Sequence, residues 1–282
     1  MLDGTARIVI RGAGDVASGI ALQLWRSGLR RILLLETAQP LAVRRRVSFS
    51  EAVYAGVCRV EEVRCRLIQA APDEAHVAAA CETLWSLEEA AVLVDPDMAC
   101  LAEVKPTVIV DATLAKQPTG LTPQLAPLVL AVGPGQAAGK HVHAVIETQR
   151  GPTLGAVIRS GEALPNTGIP ASVQGITLDR VLRAPAEGIF RTELDIGAQV
   201  QIGECIGWVE SASLPAPLPV PAAIGGVVRG LLRDGIPVQR DTKLGDIDPR
   251  RDASCVLVSD KALAVGAGVL EAIRALAPTT RP

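Results

Sequence analysis

Arg7-Ile8-Val9-Ile10-Arg11-Gly12-Ala13-Gly14-Asp15-Val16-Ala17 is the stretch that decides the fold class. Residues 7–11 are a short run rich in β-branched side chains, which is a strand signal, and two glycines close it. Apolar positions at Ile20, Leu22, Leu24 and Trp25 then follow a helical pattern up to Gly28, and Ile32-Leu33-Leu34-Leu35-Glu36 reads as the next strand. Strand, glycine turn, helix and strand together make a β-turn-α-β unit, the building block of a parallel sheet.

Further apolar runs at 92–94, 108–110 and 128–132 lack alternation, as strands covered on both faces do. Asp95-Pro96-Asp97, Asp111-Ala112 and Gly133-Pro134-Gly135 follow them, which places these residues at the carboxyl edge of the sheet. A helix is expected over 74–90. Residues 1–140 are therefore expected to form an α/β, Rossmann-like, doubly wound domain.

Beyond residue 140 Gly and Pro recur at short intervals, and runs such as Val142-His143-Ala144-Val145-Ile146-Glu147 and 153–158 predict an antiparallel β domain over 141–258. Sliding the chain on itself by 38 residues brings Gly188 onto Gly226, Gly197 onto Gly235, Val200 onto Val238, Ile206 onto Leu244 and Gly207 onto Gly245. Two copies of one β unit are implied. Such halves resemble the barrel-sandwich fold of biotinyl and lipoyl carrier domains, although the link at 210–219 contains no lysine and Ser213 stands about where the carrier lysine would. Residues 259–282 predict a C-terminal helix, with Ser259 or Asp260 near its N-cap, that returns to the first domain. Gly266 and Gly268 suggest close helix packing.

The 282 residues carry a formal net charge of −2 and only 2% aromatic side chains, so there is little to coat a phosphate backbone or stack on bases. Nucleic acid is not an expected partner. No apolar run approaches the ~18 residues of a membrane span, and the first residues lack a signal-peptide layout, so a cytoplasmic protein is expected. Six cysteines occur without a CxxC pair, which indicates neither a zinc knuckle nor a disulfide framework.

Gly12-x-Gly14-x-x-Ala17, between strand and helix, has the setting of a dinucleotide-type phosphate turn, with Glu36 about where a ribose-hydroxyl acceptor belongs. Asp15 favours the helix dipole yet repels a phosphate, which argues for a ligand other than an ordinary dinucleotide. Arg45, within Arg44-Arg45-Arg46, suits a second anionic group or a solvated basic turn equally. Asp111 and Lys116, followed by Thr119-Gly120, are candidates for polar contacts with a substrate, with helix capping by Asp111 as the plainer alternative. His141 and His143 share a strand face with Glu147, but a third metal ligand is conjectural, so no metal is assigned. Asp246 and Asp248 align likewise, and an ion pair with Arg250 explains them more simply. No catalytic residue is identified, because no serine-histidine-acid order, nucleophile elbow or Walker loop is present.

Gly12-Ala13-Gly14-Asp15-Val16-Ala17-Ser18-Gly19, Arg44-Arg45-Arg46-Val47-Ser48-Phe49, Val110-Asp111-Ala112 with Lys116, Gly133-Pro134-Gly135, His143-Ala144-Val145-Ile146-Glu147-Thr148, Pro165-Asn166-Thr167-Gly168, Gly245-Asp246-Ile247-Asp248-Pro249-Arg250 and Ser259-Asp260-Lys261-Ala262-Leu263-Ala264 occur in order along nearly the whole chain. Together they resemble the YqeB-type accessory proteins of the selenium-dependent molybdenum hydroxylase system. The resemblance implies a part in maturing a molybdenum hydroxylase of the xanthine dehydrogenase kind, with the apoenzyme as partner and an anionic, nucleotide-like or molybdopterin-type ligand. Pro152 and Ala156 stand where the pattern has His and Arg, which tells against a catalytic role at that histidine position. Two alternatives are an NAD(P)-dependent oxidoreductase, with Glu36 on the ribose and Asp111 or Lys116 near the nicotinamide, and a protein-binding scaffold. A homo-oligomer is left open.

Overall fold

A computed structural model describes residue 2 and residues 4–69, 76–211 and 215–277. Its chain divides into two compact units, Met1–Pro40 with Val47–Asn166 and Val258–Pro282, and Leu41–Arg46 with Thr167–Leu257.

The first unit runs β1 (Ile8–Arg11), α1 (Asp15–Arg26), β2 (Ile32–Glu36), α2 (Glu51–Ala55), β3 (Val57–Val60), β4 (Val63–Leu67), α3 (Val77–Ser86), β5 (Ala90–Val94), α4 (Leu101–Val104), β6 (Val108–Asp111), β7 (Leu128–Val132), β8 (Ala137–Ala138), β9 (Ala144–Ile146), β10 (Val157–Ile158) and β11 (Gly161–Glu162). Nine of these strands form one sheet in the order β10-β9-β7-β6-β1-β2-β5-β4-β3. Strand period does the sorting of side chains. Ile8 and Ile10 enter the core shared with Ile20, Leu24 and Val265, whereas Val9 enters the opposite core with Cys81, Leu84 and Trp85.

Two expectations are corrected here. The sheet is mixed rather than that of a regular Rossmann-like, doubly wound domain. An antiparallel hairpin closes each edge, β3 on β4 and β10 on β9, and the connection from β6 to β7 holds a single 3-10 turn, Pro123–Leu125, in place of an α-helix. What stands is the α/β class. The boundary expected after residue 140 falls after Asn166, because β9 pairs parallel to β7 and Ala144, Val145 and Ile146 are buried on both faces of the large sheet. Alternation at 142–147 resembles a one-sided strand only because His143 and Glu147 turn their polar atoms onto backbone groups.

Chain and sheet meet again at α5 (Asp260–Leu276), which packs on α1. A Cβ on Gly19 would stand 2.6 Å from the Cβ of Ala262, and one on Gly266 would stand 2.8 Å from the Gly19 carbonyl oxygen. Glycine is required at this seam by contact distance, with the two helices running parallel.

In the second unit the strands are β12 (Val181–Arg183), β13 (Gly188–Arg191), β14 (Gln199–Val200), β15 (Cys205–Glu210), β16 (Leu218–Pro221), β17 (Gly226–Leu231), β18 (Ile236–Val238) and β19 (Lys243–Asp248). They form two antiparallel four-stranded sheets, ordered β12-β19-β17-β14 and β16-β15-β13-β18. The repeat has a physical counterpart, since Gly188 and Gly226 both open strands at φ near +155 to +159 and each would drive a Cβ into a backbone carbonyl, that of Glu210 and Asp248 respectively. Two antiparallel four-stranded sheets thus stand where a biotinyl/lipoyl-like barrel-sandwich module was expected. Ser213 lies outside the described residues. No helix among the described residues is long and apolar enough to cross a membrane.

Candidate functional site

In an open α/β sheet, ligands bind beyond the carboxyl ends of the strands where the strand order reverses. Here that point lies between β1 and β6. The Gly12 N–H donates to the Leu35 carbonyl at 2.7 Å, its φ is +96°, and a Cβ would stand 3.2 Å from the Ala112 carbonyl oxygen. Gly12 therefore serves the turn itself. Gly14 differs: it is the N-cap of α1, no side chain caps it, and a Cβ there would meet nothing within 4 Å. The space in front of Gly14 is open.

Glu36, predicted as a ribose acceptor, turns back on the loop. One carboxylate oxygen accepts the Ala13 N–H at 2.9 Å and the other accepts the Thr37 N–H at 2.8 Å. Asp15 accepts the Val16 N–H at 3.0 Å, and Ala17 is buried. Two donors that a pyrophosphate would need are thus occupied by carboxylates. From below, the Ser50 N–H donates to the Ala13 carbonyl at 2.9 Å, and the Ser18 hydroxyl accepts the Phe49 N–H at 2.8 Å while donating to Ala13. Phe49 and Ser50 clasp the turn.

Asp111 ends β6 and is buried. It accepts from the Thr113 N–H at 3.0 Å and the Thr119 hydroxyl at 2.7 Å, with Arg11 3.7 Å away. Asp111 thus holds the loop that follows β6, and among the described residues no helix begins there for it to cap. Arg11 in turn donates to the Pro96 and Thr119 carbonyls, and Gln136 donates to the Thr119 hydroxyl at 2.8 Å. Lys116 is exposed on the same loop. Gly135 lets the loop after β7 press against it, since a Cβ would stand 2.4 Å from the Ala115 carbonyl oxygen.

Arg45 belongs to the second unit, where its guanidinium donates to the Leu231 carbonyl at 2.7 Å and pairs with Asp195 at 2.7 Å, alongside Arg46 at 3.1 Å. The arginine run is an internal clamp on that unit. His141 and His143 accept the Ala137 and Val129 N–H groups through Nδ1, at 3.1 and 2.9 Å, and among the described residues no cluster of metal-ligating side chains forms. Asp248 pairs with Arg250 at 2.7 Å.

Sequence reasoning missed Lys261. It sits in the first turn of α5, half-buried, and makes no hydrogen bond or ion pair among the described residues. Burial, and then the neighbouring Arg150, hold its ammonium below the usual lysine range, against the opposing pull of the Asp15 and Glu147 carboxylates. Glu147 is itself buried and accepts the Thr148, Gln149 and Leu164 N–H groups at 2.7, 2.7 and 2.9 Å. Arg150 forms a bidentate pair with Asp260 at 2.6 and 2.9 Å. The parallel packing of α1 and α5 puts both helix N-termini at one end, that of α5 closed by the Ser259 hydroxyl and that of α1 without a side-chain cap. An open turn, a helix N-terminus whose N-cap glycine brings no side chain and a lysine without a hydrogen-bonded partner offer donors to a small anion, beside the Asp15 and Glu147 carboxylates. The motif Ser259-Asp260-Lys261 was visible in the sequence, but it lies 245 positions along the chain from Gly14 (259 against 14).

No family model matches the chain. The uncharacterized protein YqeB of Escherichia coli (strain K12) is 46% identical over 274 residues, covering 97% of this chain and 48% of that protein. The likeness to a YqeB-type protein extends along almost the whole chain, and the chain spans about half the length of that relative. Among solved structures, a succinylglutamate desuccinylase/aspartoacylase from Rhodobacter sphaeroides is 16% identical with a TM-score of 0.28, covering 87% of this chain and 86% of that one. An aspartoacylase family protein from Mesorhizobium loti is 13% identical with a TM-score of 0.28 at the same coverages. The ectoine utilization protein EutE (DoeB) from Ruegeria pomeroyi is 10% identical with a TM-score of 0.26, again covering 87% and 86%. With Glu36 and Asp15 bonded to the turn's own donors, the Rossmann nucleotide-binding expectation and the molybdenum-cofactor one are withdrawn.

Proposed function

We propose that the carboxyl edge of the nine-stranded sheet binds a small anionic group, and that the chain does so as an accessory protein of a molybdenum hydroxylase, the part its YqeB-type resemblance implies. The observation that carries the anion site is the space before Gly14 at an uncapped helix N-terminus, with Lys261 half-buried beside the Asp15 end of α1. A half-buried ammonium without a hydrogen-bonded partner is unfavourable until an anion arrives. The Gly14 and Asp15 N–H groups and the α1 dipole supply the remaining attraction. Asp15 and Glu147 set the selectivity, since they repel a highly charged ligand and favour one compact anionic group.

Calorimetric titration with inorganic phosphate, together with native mass spectrometry of the purified chain, tests the site. Gly14→Val fills the open space and Lys261→Gln removes the charge, and each is expected to weaken phosphate binding roughly tenfold or more, as loss of a charged hydrogen bond of about 1.5–3 kcal/mol requires. Unchanged affinity in both variants overturns the site. Co-purification with a molybdenum hydroxylase apoenzyme tests the accessory role separately, and its failure with phosphate binding intact would leave an anion-binding protein of a different pathway.

A further inference from the structure

Cys58 and Cys65 stand directly opposite each other on the β3–β4 hairpin. The Leu67 N–H donates to the Gly56 carbonyl at 2.9 Å, and the two-residue period of the ladder then makes 58 and 65 a hydrogen-bonded pair. Cα atoms in such pairs lie ~5.5 Å apart, which falls at the commonest Cα spacing of disulfides, ~5.5–6 Å. Both side chains leave the same face, and the Cys58 sulfur is near enough for its charge to oppose ionisation of Cys65.

Cys58 also reaches the clasp. Its thiol lies 3.6 Å from the Phe49 carbonyl oxygen and 3.9 Å from that of Ser48, as the donor to both. Phe49 and Ser50, which follow Ser48 directly, hold the Gly12–Gly14 turn through the Ser18 hydroxyl and the Ala13 carbonyl. The sequence showed six cysteines with no motif, and only the register brings two of them together.

We propose that Cys58 and Cys65 are a redox-sensitive pair whose closure into a disulfide releases the 48–50 segment from the hairpin and so loosens the turn. The consequence for ligand rests on the anion-binding reading above, whereas the disulfide and the loosening do not. The co-reactant is a low-molecular-weight disulfide. Cys58, the more exposed of the two, loses its proton and attacks one sulfur of that disulfide, expelling the other as a thiolate. Cys65 then loses its proton and attacks the Cys58 sulfur, expelling the second thiolate. Two protein thiols are oxidised and one external disulfide is reduced to two thiols. Closure removes the thiol hydrogen that Cys58 directs at residues 48 and 49. Burial pushes the Cys58 thiol up to about 12 and Cys65 upward as well, so the exchange accelerates with rising pH and the pair resists casual oxidation.

The test uses the wild-type chain and oxidised glutathione without any ligand. Intact mass should fall by two hydrogens, and peptide mapping without reductant should link Cys58 to Cys65, while the exposed Cys205 carries any glutathione adduct. Hydrogen exchange at the Phe49 and Ser50 amides should rise roughly tenfold and return on reduction. In Cys65→Ser the mixed disulfide on Cys58 should persist unresolved. No linked peptide from a chain that retains its circular dichroism overturns the pair, and a linked peptide with unaltered exchange at Phe49 and Ser50 overturns its action on the turn. Phosphate titration of the oxidised chain is a separate reading, so loss of the anion site leaves the redox result standing.

Discussion

Gly12 and Gly14 look alike in the sequence and act differently in the fold. At +96° Gly12 occupies backbone space that side chains rarely adopt, and it presses on the end of β6. Gly12→Ala should destabilise the chain by about 1–3 kcal/mol, read as a lower urea midpoint with an unchanged slope. Gly14, with φ of −68° and open space before it, tolerates a side chain in the fold and is expected to lose only binding. The glycine spacing was therefore legible as a turn, but which glycine faces open space was not. Glu36 carries the same lesson, because its position suited a ribose until the structure showed its carboxylate on Ala13.

Among the elements, α1 and α5 form the seam that assembles the site. Their contact is backbone-close, and Gln23 crosses it to donate to the Leu263 carbonyl at 3.3 Å. Gly19→Ala places a methyl group within 2.6–2.9 Å of Ala262, where backbone atoms must shift, so about 1–3 kcal/mol of destabilisation is expected. Thermal unfolding followed by circular dichroism should show the midpoint drop, and phosphate affinity should fall with it because Lys261 rides on α5. A midpoint equal to the wild type's would mean that the seam yields without cost. Gly266 and Gly268 announced close packing in the sequence, yet their partners, Gly19 and Gly155, could not be named from it.

At the scale of the whole molecule, each unit carries its own charge network. Asp248 is fully buried in the second unit. Burial raises its pKa, but the bidentate Arg250 and the nearby Arg229 outweigh this and hold the carboxyl below the usual aspartate range. A depressed carboxyl contributes stability that is present above its unfolded value of ~3.9 and is lost as pH falls through the folded one. Asp248→Asn should therefore cost about 3 kcal/mol at neutral pH, as breaking a buried pair does, with the gap from wild type closing below about pH 4. Urea unfolding followed by the fluorescence of Trp208, which lies in the same unit, measures it. A gap that stays constant with pH would show that the ion pair is not the source.

Local chemistry was enough to specify the first β-turn-α-β unit, the α/β class, the C-terminal helix and the 38-residue repeat, because periodicity, glycine and capping residues act over a few neighbours. Tertiary structure alone decided the mixed edges of the sheet, the placement of β9 within it, the engagement of Glu36, the arrival of Lys261 beside Asp15 and that of Cys58 at Phe49. Those depend on strand register and helix contact between segments tens to hundreds of residues apart, where the free energy lies in packing and no short window of sequence records the partner.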